Sequence, residues 1–262
     1  MMDGEKRLKL AVFVSGSGTN LQSLIDRSSD GRLQADVVVV ISDRADAYGL
    51  ERARKHGIPA HVVDYARRIA DARGLHAGKE LRRKAYEEAE KEILEIISDY
   101  DVHYVVLAGF MRLLTPYFLE RFKSEEGVYR VLNIHPALLP AFPGRHGYED
   151  TFGYGCRWGG VTVHFVDEGE DSGPIIAQAV YPIFPDDTLD AVRKRGLTLE
   201  YEVYAQCINW LARGMVRIER RESSRVRIVI TDPQYGDVLS RWISLAFAMT
   251  QRVSLPQADS SQ

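Results

Sequence analysis

The stretch that most limits the fold is Val37-Val-Val-Val-Ile41, five consecutive bulky aliphatic residues with no polar alternation. A strand with one wet face alternates apolar and polar residues, whereas a strand covered on both faces does not. The run therefore predicts a buried strand, ending at Ser42-Asp43-Arg44. Other segments share its character. Leu10-Ala-Val-Phe-Val14 stops at Ser15-Gly-Ser-Gly-Thr-Asn20, and Leu21-Gln-Ser-Leu-Ile25 then takes helical apolar spacing. A helix over 48–56, closed by Gly57, precedes a short third strand at 58–63; residues 102–107 and 128–134 read as the fourth and fifth strands. Strands alternating with helices predict an α/β fold with a doubly wound, mostly parallel sheet, whose ligands lie beyond the carboxyl ends of the strands.

Around that frame, residues 66–98 are rich in Ala, Arg, Lys and Glu and read as one or two solvated helices, and Leu114-Thr-Pro116 opens another with Pro in its first turn. Residues 160–166 and 175–180 are two further strands flanking the loop 167–174. A long helix over 188–213 ends at Gly214. The expected organisation is one domain over 1–214, with a loop-bearing half over about 1–100 and a second half over about 101–214. A small C-terminal extension, 215–262, reads as a hairpin (216–220 with 226–230), a short amphipathic helix (239–249) and a disordered end (255–262). The extension could serve as a dimer contact, a lid or an ornament, which leaves a homodimer open.

Composition narrows the class of ligand. A formal charge of −3 over 262 residues argues against nonspecific nucleic-acid binding and favours a small-molecule substrate. Cys156 and Cys207 lie far apart without a metal-ligand spacing, so no disulfide framework and no metal site is signalled, and a reducing cytoplasm fits. The N-terminus lacks the apolar core of a signal peptide, and no apolar run approaches the ~18 residues that span a bilayer, so a cytoplasmic protein with no membrane partner is expected.

Two constellations carry chemistry. The glycine loop between a strand and a helix leaves backbone N–H groups free where a phosphate is favoured. Glycines that merely permit a tight turn are the competing reading. The dinucleotide fingerprint fails, because Leu21 stands where a third Gly is needed, although Asp43 imitates its ribose-binding acid; the Gly-Lys-Ser/Thr ending of a Walker loop is also absent. The second constellation is Asn133-Ile-His-Pro136, an apolar run whose end puts an amide and an imidazole on one side of an extended backbone. A carboxylate could orient the imidazole or favour its charged form. Asp171, in Glu170-Asp-Ser-Gly-Pro174, is the best placed by topology, with Asp167, Glu168 and Glu170 as competitors. A His before Pro is commonly structural; its place beside Asn133 at a strand end makes it a catalytic candidate. No nucleophile motif accompanies it, so the chemistry reads as direct transfer between two bound substrates, with Asn133 and His135 stabilising charge on a carbonyl oxygen.

Taken together, Ser15-Gly-Ser-Gly-Thr-Asn20, Leu107-Ala-Gly-Phe-Met-Arg-Leu-Leu114, Asn133-Ile-His-Pro-Ala-Leu-Leu-Pro140 and Asp171-Ser-Gly-Pro174 resemble the motifs of the glycinamide ribonucleotide formyltransferases, folate-dependent enzymes of purine synthesis. The similarity runs in order over roughly 9–214. It implies that Asn133, His135 and Asp171 are catalytic, and that Gly18, Thr19, Asn20 and Glu200 hold the phosphoribosyl part of the acceptor. It further implies that Met111, Arg112, Leu113, Leu114 and Asn133 line the pocket for 10-formyltetrahydrofolate, the co-substrate, with Arg83 contacting its tail and no metal required. Departures are also visible. The segment 144–160 is too Gly-rich for the helix the family has there and reads as a reshaped, mobile loop over the site, and Leu197 and Tyr201 replace a polar residue and a His beside Glu200. These keep open formyl transfer to another amine such as an amino-sugar nucleotide, hydrolysis of formyltetrahydrofolate, or a noncatalytic nucleotide- or folate-binding module.

Overall fold

The computed structural model describes residues 7–68, 79–220 and 225–249. Seven strands form one sheet: β1 (Leu8–Val14), β2 (Ala35–Ser42), β3 (Ala60–Val62), β4 (Tyr104–Leu107), β5 (Val131–His135), β6 (Trp158–Phe165) and β7 (Ile175–Pro182). Their order is β3-β2-β1-β4-β5-β6-β7; the first five are parallel, and β6 runs antiparallel to both β5 and β7. The unbroken aliphatic runs are explained by two cores. Leu10, Val12 and Val14 face one, with Leu21 and Leu24 of α1 (Thr19–Ser29) and Leu199 and Val203 of α6 (Leu189–Ala212). Ala11 and Phe13, one register step away, face the other, with Ala89 and Ile93 of α3 (Lys79–Ser98). Alternation therefore persists in the backbone while both faces stay dry.

The remaining helices are α2 (Tyr48–Lys55), the single turn α4 (Pro116–Leu119) and α5 (Gly147–Gly153). Helix α6 is tied to the sheet by polar contacts at two levels. Tyr204 places its hydroxyl 2.9 and 3.1 Å from the carbonyls of Leu107 and Leu132, and Asn209 donates to the Arg32 carbonyl while accepting from the Gln34 N–H.

Helix α5 corrects the expectation that residues 144–160 are too Gly-rich to form a helix. Glycine lowers intrinsic propensity, but packing overrides it. Gly147 is buried where a Cβ would lie 3.1 Å from Pro136 and 3.2 Å from His135, and Thr151 one turn on is also buried. Beyond Gly214 the expected hairpin is present as β8 (Val216–Glu219) paired antiparallel with β9 (Arg227–Ile230), followed by α7 (Tyr235–Ala248). The expected disordered end, 255–262, lies outside the described residues. Helix α7 packs on β7 and α6, and its Val238, Trp242 and Ala246 join the core containing Trp210. Among the described residues no helix is long and apolar enough to cross a membrane.

Candidate active site

The sheet order reverses direction between β1 and β4, and a crevice opens where neighbouring strands lead off to opposite sides. The loops after these two strands are joined directly. Ser15 N–H donates to the Gly109 carbonyl at 3.1 Å, and Met111 N–H donates to Ser15 Oγ at 2.8 Å. A cleft of ≈ 440 Å³ lies beyond them, lined by the glycine loop, residues 107–114, 133–136 and 166–171, and by Tyr148, His164, Leu197 and Glu200. Of the residues singled out from sequence, Gly18, Thr19, Asn20, Met111, Arg112, Leu113, Leu114, Asn133, His135, Asp171 and Glu200 all reach it. Arg83 does not; it lines an adjoining hollow shared with Met111 to Leu114, and its guanidinium is held by Glu80 and Glu87 on its own helix.

The glycine loop has a structural reason as well as an open face. Gly18 adopts φ 66°, and a Cβ there would sit 2.6 Å from the Cα of Gly49. The loop is thus pressed backbone to backbone against the start of α2, where Gly49 N–H donates to the Gly16 carbonyl at 3.0 Å. Helix α1 begins there with no side-chain cap and no acid in its first turn, an end suited to an anion. Asp43, which imitated a ribose-binding acid, instead accepts from Arg112 Nε at 2.6 Å; the Arg112 guanidinium lies 5.8 Å over the Tyr65 ring. Met111 and Leu113 stay exposed at the mouth of the cleft, 45% and 58%, as an apolar surface that no element covers among the described residues.

Strand alternation puts Asn133 and His135 on one face of β5, while Leu132 and Ile134 enter the opposite core. Asp171 is brought to them by the loop after β6, at φ 50°, a conformation Asp tolerates better than most residues. One carboxylate oxygen lies 3.3 Å from His135 Nδ1 and accepts the Gly144 N–H at 2.8 Å; the other accepts from Asn133 Nδ2 at 3.2 Å. Burial would raise the Asp171 carboxyl, but the neighbouring His164 imidazole, the hydrogen bond from Gly144 N–H and the His135 imidazole outweigh it and hold Asp171 below the usual carboxylate range. His135 is pulled below the ordinary imidazole range by burial, against the opposing effects of Asp171 and of the Phe142 carbonyl. That carbonyl lies 2.7 Å from His135 Nε2, which must donate to it, and Phe142 presents it from φ 54°, strained for an aromatic residue.

Sequence reasoning missed His164. The β5–β6 register sets it opposite Asn133. Its Nδ1 lies 2.8 Å from the Phe165 carbonyl and so carries a hydrogen, which turns Nε2 toward Asn133 Nδ2 at 3.3 Å as an acceptor. The one available signal was a lone imidazole in Val161-Thr-Val-His-Phe165, an otherwise apolar strand end. Glu200 is 4% exposed and lies between two donors, Asn20 Nδ2 at 2.6 Å and the Tyr148 hydroxyl. Tyr148 too was missed, because nothing local marks it. Among the described residues no group of three or more His, Cys, Asp or Glu side chains could hold a metal ion.

A polar trio beside an apolar-mouthed cleft and an anion-ready helix end suits group transfer between two small molecules, and comparison with known proteins is specific. The formyl transferase family pattern matches residues 8–208. A curated phosphoribosylglycinamide formyltransferase from Haemophilus influenzae is 39% identical over 215 residues, covering 80% of this chain and 90% of that one; its Escherichia coli counterpart is 38% identical over 211 residues with the same coverage. A crystal structure of glycinamide ribonucleotide transformylase 1 from Symbiobacterium toebii superposes with a TM-score of 0.74 at 39% identity, covering 88% of this chain and 98% of that one. The chain belongs to the formyl transferase family, alongside the phosphoribosylglycinamide formyltransferases.

Proposed function

We propose that the chain transfers the formyl group of 10-formyltetrahydrofolate to the amine of 5'-phosphoribosylglycinamide. The observation that carries this reading is that one cleft holds Asn133, His135 and Asp171 between a phosphate-suited helix end and the apolar surface of Met111 and Leu113. The residues fit the two substrates by kind. The glycine loop and α1 suit the acceptor's phosphate, and Asn20 with Glu200 lies on the same side to meet the sugar. The 107–114 loop suits a flat, apolar pterin ring, and the cleft is of the size that small ligands fill.

The folate supplies the one-carbon unit. The neutral amine attacks the formyl carbon, the bond from that carbon to the folate nitrogen breaks, and the proton lost by the amine ends on that nitrogen. Negative charge developing on the formyl oxygen is met by the Nε2–H of His135 and by an N–H of the Asn133 amide turned to it from His164. The Phe142 carbonyl, 2.7 Å from His135 Nε2, stands where that oxygen would be received, so the formyl oxygen takes over its hydrogen bond. Asp171, kept ionised by its donors and 3.3 Å from Nδ1, stabilises the imidazolium of His135 when that ring takes up a proton.

Loss of formyl from a 10-formyl folate, followed by absorbance, tests the reading with phosphoribosylglycinamide, with no acceptor and with a panel of amines including amino-sugar nucleotides. Turnover is expected with phosphoribosylglycinamide alone. Release without any acceptor makes the protein a hydrolase, and release only with another amine reassigns the acceptor. His135→Ala and Asp171→Asn should lower kcat by about 10²–10⁴-fold with substrate binding largely retained; near-normal turnover in either removes the catalytic assignment.

A further inference from the structure

We propose that Tyr148 is a positioning residue that fixes Glu200 toward the acceptor, and that its seat over Gly196 sets how tightly the acceptor's sugar hydroxyls are held. The inference rests on the reading of the Asn20–Glu200 corner as the sugar site. Its geometry is particular to these residues. Tyr148 lies in the first turn of α5 and lines the cleft, and its hydroxyl donates to Glu200 Oε1. Gly196 lies one helical turn before Glu200 on α6. A Cβ at Gly196 would fall 2.4 Å from the Tyr148 ring and 2.6 Å from its hydroxyl, so the ring occupies the space that any other residue would fill. The phenol is therefore seated by a hole in α6 and aimed by it.

The chemistry of the corner follows from which lone pairs remain. Glu200 accepts once on each oxygen, from Tyr148 and from Asn20, which leaves a free lone pair on each. Asn20 must turn its amide nitrogen to Glu200, and its Oδ1 is buried with no partner among the described residues. An unpaired buried acceptor is costly, and a ligand donor removes that cost. The corner thus offers the spare lone pairs of Glu200, the unpaired Asn20 Oδ1 and the second Asn20 N–H, a set rich in acceptors that matches a pair of neighbouring hydroxyls. Burial pushes the Glu200 carboxyl up while Tyr148 and Asn20 pull it back, and Tyr148 itself is pushed well above the phenol range, so its hydroxyl remains a donor. Removing that donor loosens the carboxylate without touching Asn133, His135 or Asp171.

Two variants separate positioning from mere structure. Tyr148→Phe deletes the donor and keeps the ring. Gly196→Ala pushes the ring off its seat while favouring the helix relative to Gly. Both are expected to raise KM for phosphoribosylglycinamide about tenfold, with KM for the formyl folate unchanged and kcat lowered far less than KM is raised. Calorimetric titration of phosphoribosylglycinamide should show the same tenfold loss, and Tyr148→Phe, which keeps the ring in its seat, should melt within about 5 °C of the parent. Unchanged acceptor affinity in both variants overturns the inference, as does an equal loss for both substrates together with a lowered melting temperature. A parent protein that binds phosphoribosylglycinamide in the calorimeter but does not formylate it overturns the proposed function instead, and the titrations of the variants still decide the role of Tyr148.

Discussion

Asn133 donates from a single nitrogen to two neighbours, Asp171 at 3.2 Å and His164 at 3.3 Å, and this shared donation makes three separated residues one unit. Asn133, His135 and Asp171 were legible from sequence because strand alternation and loop position follow from local pattern. His164 was not, because its facing Asn133 depends on the register of two antiparallel strands 31 residues apart in sequence. Burial governs another residue more plainly. Glu90 on α3 is fully buried and accepts from both Thr115 N–H, at 2.7 Å, and Thr115 Oγ. Burial pushes its carboxyl up to about 7 despite those bonds. The folded state therefore holds a proton that the unfolded chain, with an ordinary carboxyl near 4.5, has released. Its contribution to stability is full below pH 4.5 and is lost as pH rises to about 7, on the order of 3 kcal/mol in all. Glu90→Gln can keep both bonds to Thr115 and has no proton to lose. The variant should match the parent near pH 4.5 and exceed it by that amount at pH 8 in urea unfolding; parallel stability curves across this range would refute the assignment.

At the scale of elements, the decisive contact is between the glycine loop and α2. The turn after β1 needs left-handed backbone at Gly18, and the approach of Gly49 leaves no room for a side chain. Gly18→Ala should therefore cost about 2–4 kcal/mol, from left-handed strain and overpacking together. Gly16→Ala, where a Cβ meets nothing within 4 Å, is the control and should stay within about 0.5 kcal/mol of the parent. Equal denaturation midpoints for the two variants would mean that the loop yields. Helix α5 shows the opposite balance. Its glycines argue against a helix, yet Gly147 and Thr151 are buried and Tyr148 bonds to α6, so contacts distant in sequence decide the local structure. The segment that α5 ends also brings the Phe142 carbonyl to His135 and the Gly144 N–H to Asp171, which ties this stretch of chain to the proposed catalytic residues.

At the scale of the molecule, the extension beyond Gly214 is joined to the main core. Trp210 near the end of α6 donates from Nε1 to Asp232 at 2.7 Å and packs against Tyr235 and Trp242, with ring centroids 5.5 and 5.9 Å away. Helix α7 and β9 lie against β7, the last strand of the sheet and the place where another chain could pair. Truncation after Gly214 strips Trp210 of these partners. A loss of about 3–5 kcal/mol, comparable to deleting one large buried aromatic side chain, lowers the melting temperature by roughly 10 °C for a chain of this size. Calorimetry and size-exclusion chromatography of residues 1–214 should show this loss together with self-association; a truncated chain as stable and as well dispersed as the full one would make the extension dispensable.

The alternation of strands and helices outside α5, the two-faced burial of the sheet and the common direction of Asn133 and His135 were determined by the sequence alone, because periodicities of 2 and 3.6 residues are written along a single segment. The tertiary structure alone decided the rest. Arg112 was drawn to Asp43, His164 was set against Asn133, and Tyr148 was seated over Gly196 against Glu200. Each of these joins residues far apart in the chain, and their meeting depends on sheet order, strand register and helix packing.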